Sequence, residues 1–193
     1  MKKLSPGLLA LIVVLALAVI IAVFAISNYN ALVSSRENVN GQMANIDTQL
    51  QRRMDLIPNL VNTVKGYNLH EKEILTHISD ARARLAGAGT PTEKAAANSE
   101  LEGALNRLLA IAESYPDLKA NTQFTSLMDE LSGTENRISV ARRDYNEAVK
   151  EYNKQIQTFP RALFASLFGF EKFDYFEAVP GAEAPSKVDF SGS

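Results

Sequence analysis

Nineteen consecutive residues, Leu8 to Ile26 (LLALIVVLALAVIIAVFAI), carry no charged or polar side chain. At about 1.5 Å of rise per helical residue such a run spans roughly 28 Å, close to the hydrocarbon thickness of a bilayer. A chain that contains it either crosses a membrane or loses the segment on export, and the rest must fold under that condition. The apolar core of a cleavable signal is shorter, roughly 7 to 15 residues, and no small-x-small site follows Ile26. Residues 8–26 therefore read as an uncleaved transmembrane helix with the lipid bilayer as its partner.

Orientation follows from the flanks. Lys2, Lys3 and the terminal amine precede the helix, whereas the first basic residue after it is Arg36, beside Glu37, so residues 1–7 are expected in the cytoplasm and the body outside it. Seven residues are too few to fold as a receiver, so any signal across the membrane would have to pass through a partner. Of the 20 basic and 22 acidic side chains only Lys2 and Lys3 lie before residue 27, which leaves the body with a net charge of −4. That balance argues against nucleic acid as a partner and against broad binding to anionic membrane. The chain has no Cys, which excludes disulfides, thiolate metal sites and cysteine nucleophiles.

After the apolar run the pattern has period 3.6 and never period two. Leu32, Val39, Met43, Ile46, Leu50, Ile57, Val61, Val64, Ile74, Ile78 and Leu85 recur mainly three, four or seven apart, which predicts one amphipathic helix from Tyr29 to Leu85. Pro58 interrupts it without the Gly or Asn-Gly companions of a hairpin, so a kink is expected there rather than a reversal. Thr90, Pro91 and Glu93 start a second helix with a Thr-x-x-Glu capping box and Pro at the first position. Ala97, Leu101, Ala104, Leu105, Leu108, Ile111 and Ala112 form its apolar face.

A third helix is expected from Pro116 to about Gln157, burying Phe124, Leu127, Leu131, Ile138, Ala141, Tyr145, Ala148, Tyr152 and Ile156. Arg143 with Glu147, Glu147 with Lys150, and Glu151 with Lys154 have the spacing of surface pairs. Seven of the nine Phe fall between Phe159 and Phe190, where Pro160 to Phe168 reads as a short helix stopped by Gly169. The fold class is all-α: an N-terminal transmembrane helix, an elongated antiparallel bundle of three to four helices over 27–158, and an aromatic-rich C-terminal tail. Within that tail, 159–177 is expected to pack on the bundle and 178–193, rich in Pro, Gly and Ser, to be extended or disordered.

Several segments together resemble the LemA family. They are Tyr29-Asn30-x-Leu32-Val33 after the anchor, Gln51-Arg52-Arg53-Met54-Asp55-Leu56-Ile57-Pro58-Asn59-Leu60-Val61, Val64-Lys65-Gly66-Tyr67 and His70-Glu71. Tyr115-Pro116-Asp117-Leu118-Lys119, Glu135-Asn136-Arg137-Ile138, Ala141-Arg142-Arg143-Asp144-Tyr145-Asn146 and Phe168-Gly169-Phe170 continue it in the same order. The resemblance covers nearly the whole chain, and the Arg-Arg-x-Asp-Leu-Ile-Pro-Asn-Leu run is specific. It implies a bacterial, membrane-anchored helical-bundle protein of the cell envelope. It also points to associations with magnetosome membranes and small membrane proteases, and it implies no particular reaction.

Chemistry-bearing residues are sparse. His70, Glu73 and His77 fall at i, i+3 and i+7 and would share a face of a straight helix, an incomplete set for zinc or nickel. Their spacing is not that of His-Glu-x-x-His, and a solvated polar face explains them as well. Arg52, Arg53, Asp55, Lys65, Glu135, Arg142, Arg143 and Asp144 form either a paired network that fixes helix register or a surface for an acidic peptide; the network is preferred, because both charged blocks lie within long periodic helices.

Four of the six tyrosines, Tyr29, Tyr67, Tyr145 and Tyr152, precede an Asn and suit the edge of a core, with an aromatic ligand cage as the rival reading. The aromatic tail reads as a cap on the bundle, closed by Phe164, Leu167, Phe168 and Phe170, ahead of a membrane-lying segment or a docking peptide. No phosphate loop, Gly-x-Ser-x-Gly or dinucleotide fingerprint occurs.

These features predict a non-enzymatic envelope scaffold or adaptor of the inner membrane, with no catalytic, cofactor-binding or metal residue assigned. Its expected partners are other envelope proteins, a membrane protease among them, and a homo-oligomer remains open. The alternatives are a metal-dependent enzyme using His70, Glu73 and His77, and a ligand sensor acting through a membrane partner.

Overall fold

The computed structural model describes residues 6–67 and 72–177. Among them every regular element is helical: α1 Pro6–Lys65, α2 Lys72–Gly87, α3 Pro91–Ala112, α4 Pro116–Lys119, α5 Thr122–Gln157 and α6 Arg161–Phe168. The apolar run and the first amphipathic stretch form a single helix. That helix ends at Lys65, with a turn at Gly66 and Tyr67, so the expected helix to Leu85 is two helices. The third expected helix is likewise divided, its first turn forming α4 before a break at Ala120 and Asn121.

Pro58 lies inside α1, and the chain does not reverse there. In an ordinary helix the amide of residue 58 would donate to the carbonyl of residue 54, and proline has no such donor. The guanidinium of Arg82, on α2, donates its Nε–H to that carbonyl, Met54 O, at 2.9 Å. A side chain from the neighbouring helix thus satisfies the acceptor that proline leaves open.

The second helix starts as its sequence requires. Thr90 accepts from the Glu93 amide, and the Glu93 carboxylate accepts from the amides of Thr90 and Gly89 at 3.0 and 2.9 Å. Those backbone donors hold the Glu93 carboxyl below the ordinary carboxylate range. Gly169 closes α6 in the left-handed region, at φ 69°, where a side chain would be strained.

Two compact units make up the chain, and α1 and α5 each contribute to both. The larger, Gln42–Asn146 with Asp174–Ser193, is an antiparallel four-helix bundle. Tyr67 meets Asn121 and Arg52 meets Glu130, so α5 runs antiparallel to the part of α1 in this unit. Lys94 meets Asp47 at 2.5 Å and Arg84 meets Glu100 at 2.6 Å, tying α3 to α1 and α2 to α3. Ile46, Leu50, Ile57, Leu60, Val64, Ile78, Leu101, Leu108, Ile138 and Tyr145 are buried in its core. Of the apolar positions read from Tyr29 to Leu85, only Met43 is not buried.

The other unit, Met1–Gly41 with Glu147–Phe173, buries Leu32, Val39, Val149, Tyr152, Ala165 and Phe170. Its large apolar residues from Leu8 to Ile26 are exposed, and the helix that carries them is long and apolar enough to cross a membrane. Lys150 pairs with Glu147 at 3.2 Å, one of the three expected surface pairs. Arg143 instead lies 3.9 Å from Asp144, and among the described residues no ion pair joins Glu151 to Lys154.

Candidate functional site

The heptad-like register of the larger unit contains polar residues at interior positions. Along α1 the buried positions Ile46, Leu50, Arg53, Ile57, Leu60 and Val64 alternate four and three apart, so Arg53 occupies a core position. Asn98 stands in the same relation to Leu101, Leu105 and Leu108 on α3, and Thr134 to Leu127, Leu131 and Ile138 on α5.

Arg53, only 2% exposed, donates from Nη1 to Asn98 Oδ1 at 2.8 Å and to the Glu135 carboxylate. Its Nε is buried without a hydrogen-bond partner among the described residues. Thr134 satisfies its hydroxyl on the Leu131 carbonyl at 2.7 Å. A buried charge is tolerated only when paired, and a polar layer that pairs across three helices penalises every other register.

Beside this layer a cleft of about 320 Å³ is lined by Arg53, Glu102, Asn106, Asp129, Ser132 and Glu135. Three carboxylates face a guanidinium already engaged by one of them.

The other charged residues singled out in the sequence are dispersed. Arg52 is exposed and 3.6 Å from Glu130. Asp55 accepts from Gln51 at 2.8 Å, and Lys65 is exposed in the last turn of α1. Of the Arg52–Arg53 block, one guanidinium is buried and the other lies exposed beside a carboxylate.

His70 lies outside the described residues. His77 and Glu73 are exposed and 3.4 Å apart, in a groove of about 370 Å³ that Arg107 also lines. A fixed cation there works against a second, divalent one. Among the described residues no three His, Asp or Glu side chains cluster to hold a metal.

The Tyr-Asn pairs have a role the sequence did not display. In the larger unit Asn146 grips the backbone of Phe176 with both amide atoms: Nδ2 donates to the carbonyl at 3.1 Å and Oδ1 accepts from the amide at 2.8 Å. Tyr145 donates its hydroxyl to Asp174 O at 2.9 Å. In the other unit Asn153 does the same to Phe173, at 2.9 and 3.0 Å, with the Tyr152 ring edge-on to Phe173. An extended segment has no helical partners for its backbone, and these asparagines supply them. Burial, then the Asp174 carboxylate, pushes the Tyr145 phenol up to about 12; burial also raises Tyr152. The repeat of Tyr-Asn seven residues apart on one helix was the available signal.

The tail differs from a cap built of Phe164, Leu167, Phe168 and Phe170. Of those four only Phe170 is buried, and Leu167 and Phe168 are 75% and 51% exposed. Phe176, not among them, is fully buried. Tyr29 is exposed at 39% and stands edge-on to Phe168 and Phe170, with ring centroids 5.0 and 5.8 Å apart.

Comparison with known proteins adds a family to this geometry. A model described as the LemA family matches residues 42–190. The magnetosome protein MamQ 2 of Paramagnetospirillum magneticum is 27% identical over 212 aligned positions, covering 95% of this chain and 78% of the relative. MamQ of Magnetospirillum gryphiswaldense is 28% identical, covering 81% and 67%. A protein LemA of Metamycoplasma hominis is 28% identical, covering 67% of this chain and 60% of its own length.

Proposed function

This chain belongs to the LemA family, and we propose that it works as a membrane-anchored, non-enzymatic adaptor that holds other envelope proteins on its helical body. One observation carries the reading: α1 continues from the apolar run into the core of the larger unit as one helix. An apolar run that belongs to the same helix as core residues of the bundle tethers that bundle to a membrane. The MamQ 2 alignment leaves out so little of this chain that it takes in most of residues 8–26, and a magnetosome protein as relative supports a membrane setting. The paired polar layer supports a scaffold role, since it fixes helix register.

Lys2 and Lys3 before the run, and the scarcity of basic residues just after it, place the body outside the cytoplasm in this reading. Cross-linking in the native membrane followed by mass spectrometry tests it. The expected result is a reproducible set of envelope proteins joined to exposed residues of the larger unit. Cross-links only to lipid, or a body protected from protease in intact spheroplasts, would overturn the adaptor role or the orientation respectively.

A further inference from the structure

Leu163 and Leu167, one turn apart on α6, are 63% and 75% exposed, and Phe159, just before the helix, is 78% exposed. The two leucines form an apolar ridge along α6. The adjoining face of α6, about 100° round the helix, is occupied. Phe164 stands edge-on to Phe24 at 6.1 Å, and Phe168 to Tyr29 at 5.0 Å. Phe24 is a member of the apolar run, two residues before its end. The rings therefore fix α6 beside the C-terminal end of the span, and Leu163 and Leu167 stay exposed there.

We propose that this ridge inserts into the bilayer at the boundary between acyl chains and headgroups, making α6 a second, interfacial attachment next to the transmembrane helix. The inference rests on the reading of residues 8–26 as a membrane span. Continuity with that lipid-facing surface identifies the occupant: side chains held at the end of a span meet lipid where other exposed faces of the body meet water.

The surrounding chemistry fits an interface. Tyr29 carries a ring with a polar tip at the same level, the placement in which tyrosine is enriched at membrane surfaces. Arg161 is drawn back to Gln155 Oε1 at 2.7 Å, and Arg36 covers the Phe170 ring at 5.3 Å. Neither guanidinium lies on the ridge. The body's net negative charge, which argues against broad binding to anionic membrane, thus bears only on electrostatic attachment; this attachment is apolar. Two attachment points fix the depth and rotation of a helix that a single span leaves free to tilt and turn.

The chain has no cysteine, so single-cysteine variants of the full-length protein report one position each. Leu163→Cys and Leu167→Cys, labelled with an environment-sensitive fluorophore, are reconstituted in phosphatidylcholine vesicles containing phosphatidylglycerol. Val19→Cys serves as the span control and Ser126→Cys as the exposed control on α5. Expected are blue-shifted emission at 163 and 167, quenching by lipid with a nitroxide near the headgroup, and loss of the iodide quenching seen at 126. Labels at 163 and 167 that behave like 126, while 19 is quenched by lipid, would overturn the inference and leave the anchor standing. Shielding from iodide without lipid quenching would overturn it in favour of a second copy covering the ridge. A label at 19 open to iodide would overturn the anchor and the inference together.

Discussion

Arg82 and Pro58 should be thermodynamically coupled, because one supplies the hydrogen bond that the other removes. Arg82→Met leaves Met54 O without its donor. A lost hydrogen bond to a charged group costs about 1.5–3 kcal/mol. Met54 and Arg82 are both half-buried, so water recovers part of the loss and about 1–2 kcal/mol is expected. Pro58→Ala acts in the opposite direction. A proline inside a helix costs about 3 kcal/mol relative to alanine, and its stiffening of the unfolded chain returns about 0.4–1 kcal/mol. Pro58 is exposed, so no packing is lost and a net gain of about 2 kcal/mol is expected.

In the Pro58→Ala background the new amide takes Met54 O, and Arg82→Met should then cost about 1 kcal/mol less than it does in the parent chain. For a body of this size each kcal/mol moves the midpoint by about 2–4 °C. Thermal unfolding of the four full-length proteins in detergent micelles, followed by circular dichroism, reads the cycle. Equal cost of Arg82→Met in both backgrounds would refute the compensation, as would a lower midpoint for Pro58→Ala.

Removing one member of the buried layer should be expensive: Arg53→Met strands Asn98 and Glu135, and about 3 kcal/mol is expected, at the low end for a broken buried pair because Glu135 keeps some access to water. Combining it with Glu135→Leu should recover much of the loss in urea unfolding; no recovery would mean that the charges do not act as a pair. Tyr145 predicts an alkaline limit. Its folded pKa lies above its unfolded value of 10, so its contribution is complete below pH 10 and is lost as pH rises through about 12, the unfolded phenol releasing its proton first. Tyr145→Phe should lose about 1 kcal/mol at neutral pH with the Asp174 hydrogen bond and show a shallower decline above pH 10; an unchanged slope would refute the assignment.

Local patterns along the chain determined the helices, their apolar faces, the Thr90 cap and the Gly169 stop, because each depends on residues within a turn or two of one another. The apolar run was legible for the same reason: its length and composition suffice. The sequence left undecided how a helix passes Pro58, since the answer is a guanidinium on another helix. Where the first helix ends was marked only by Lys65 and Gly66, a weak stop signal inside a continuous apolar stripe.

Arg53, Asn98 and Thr134 continue the apolar spacing of their helices, yet only the fold showed that they lie inside and what they meet; the partners of Arg53 lie 45 and 82 residues away. The same limit applies to the tail. Composition marked it as apolar, but only the tertiary fold decided that Phe170 and Phe176 go inward while Phe159, Leu163 and Leu167 face outward. The physical reason is range: propensity, capping and periodicity act through neighbours in the chain. The partner of a buried charge, an open carbonyl or an exposed ring is chosen by segments that meet only when the chain has folded.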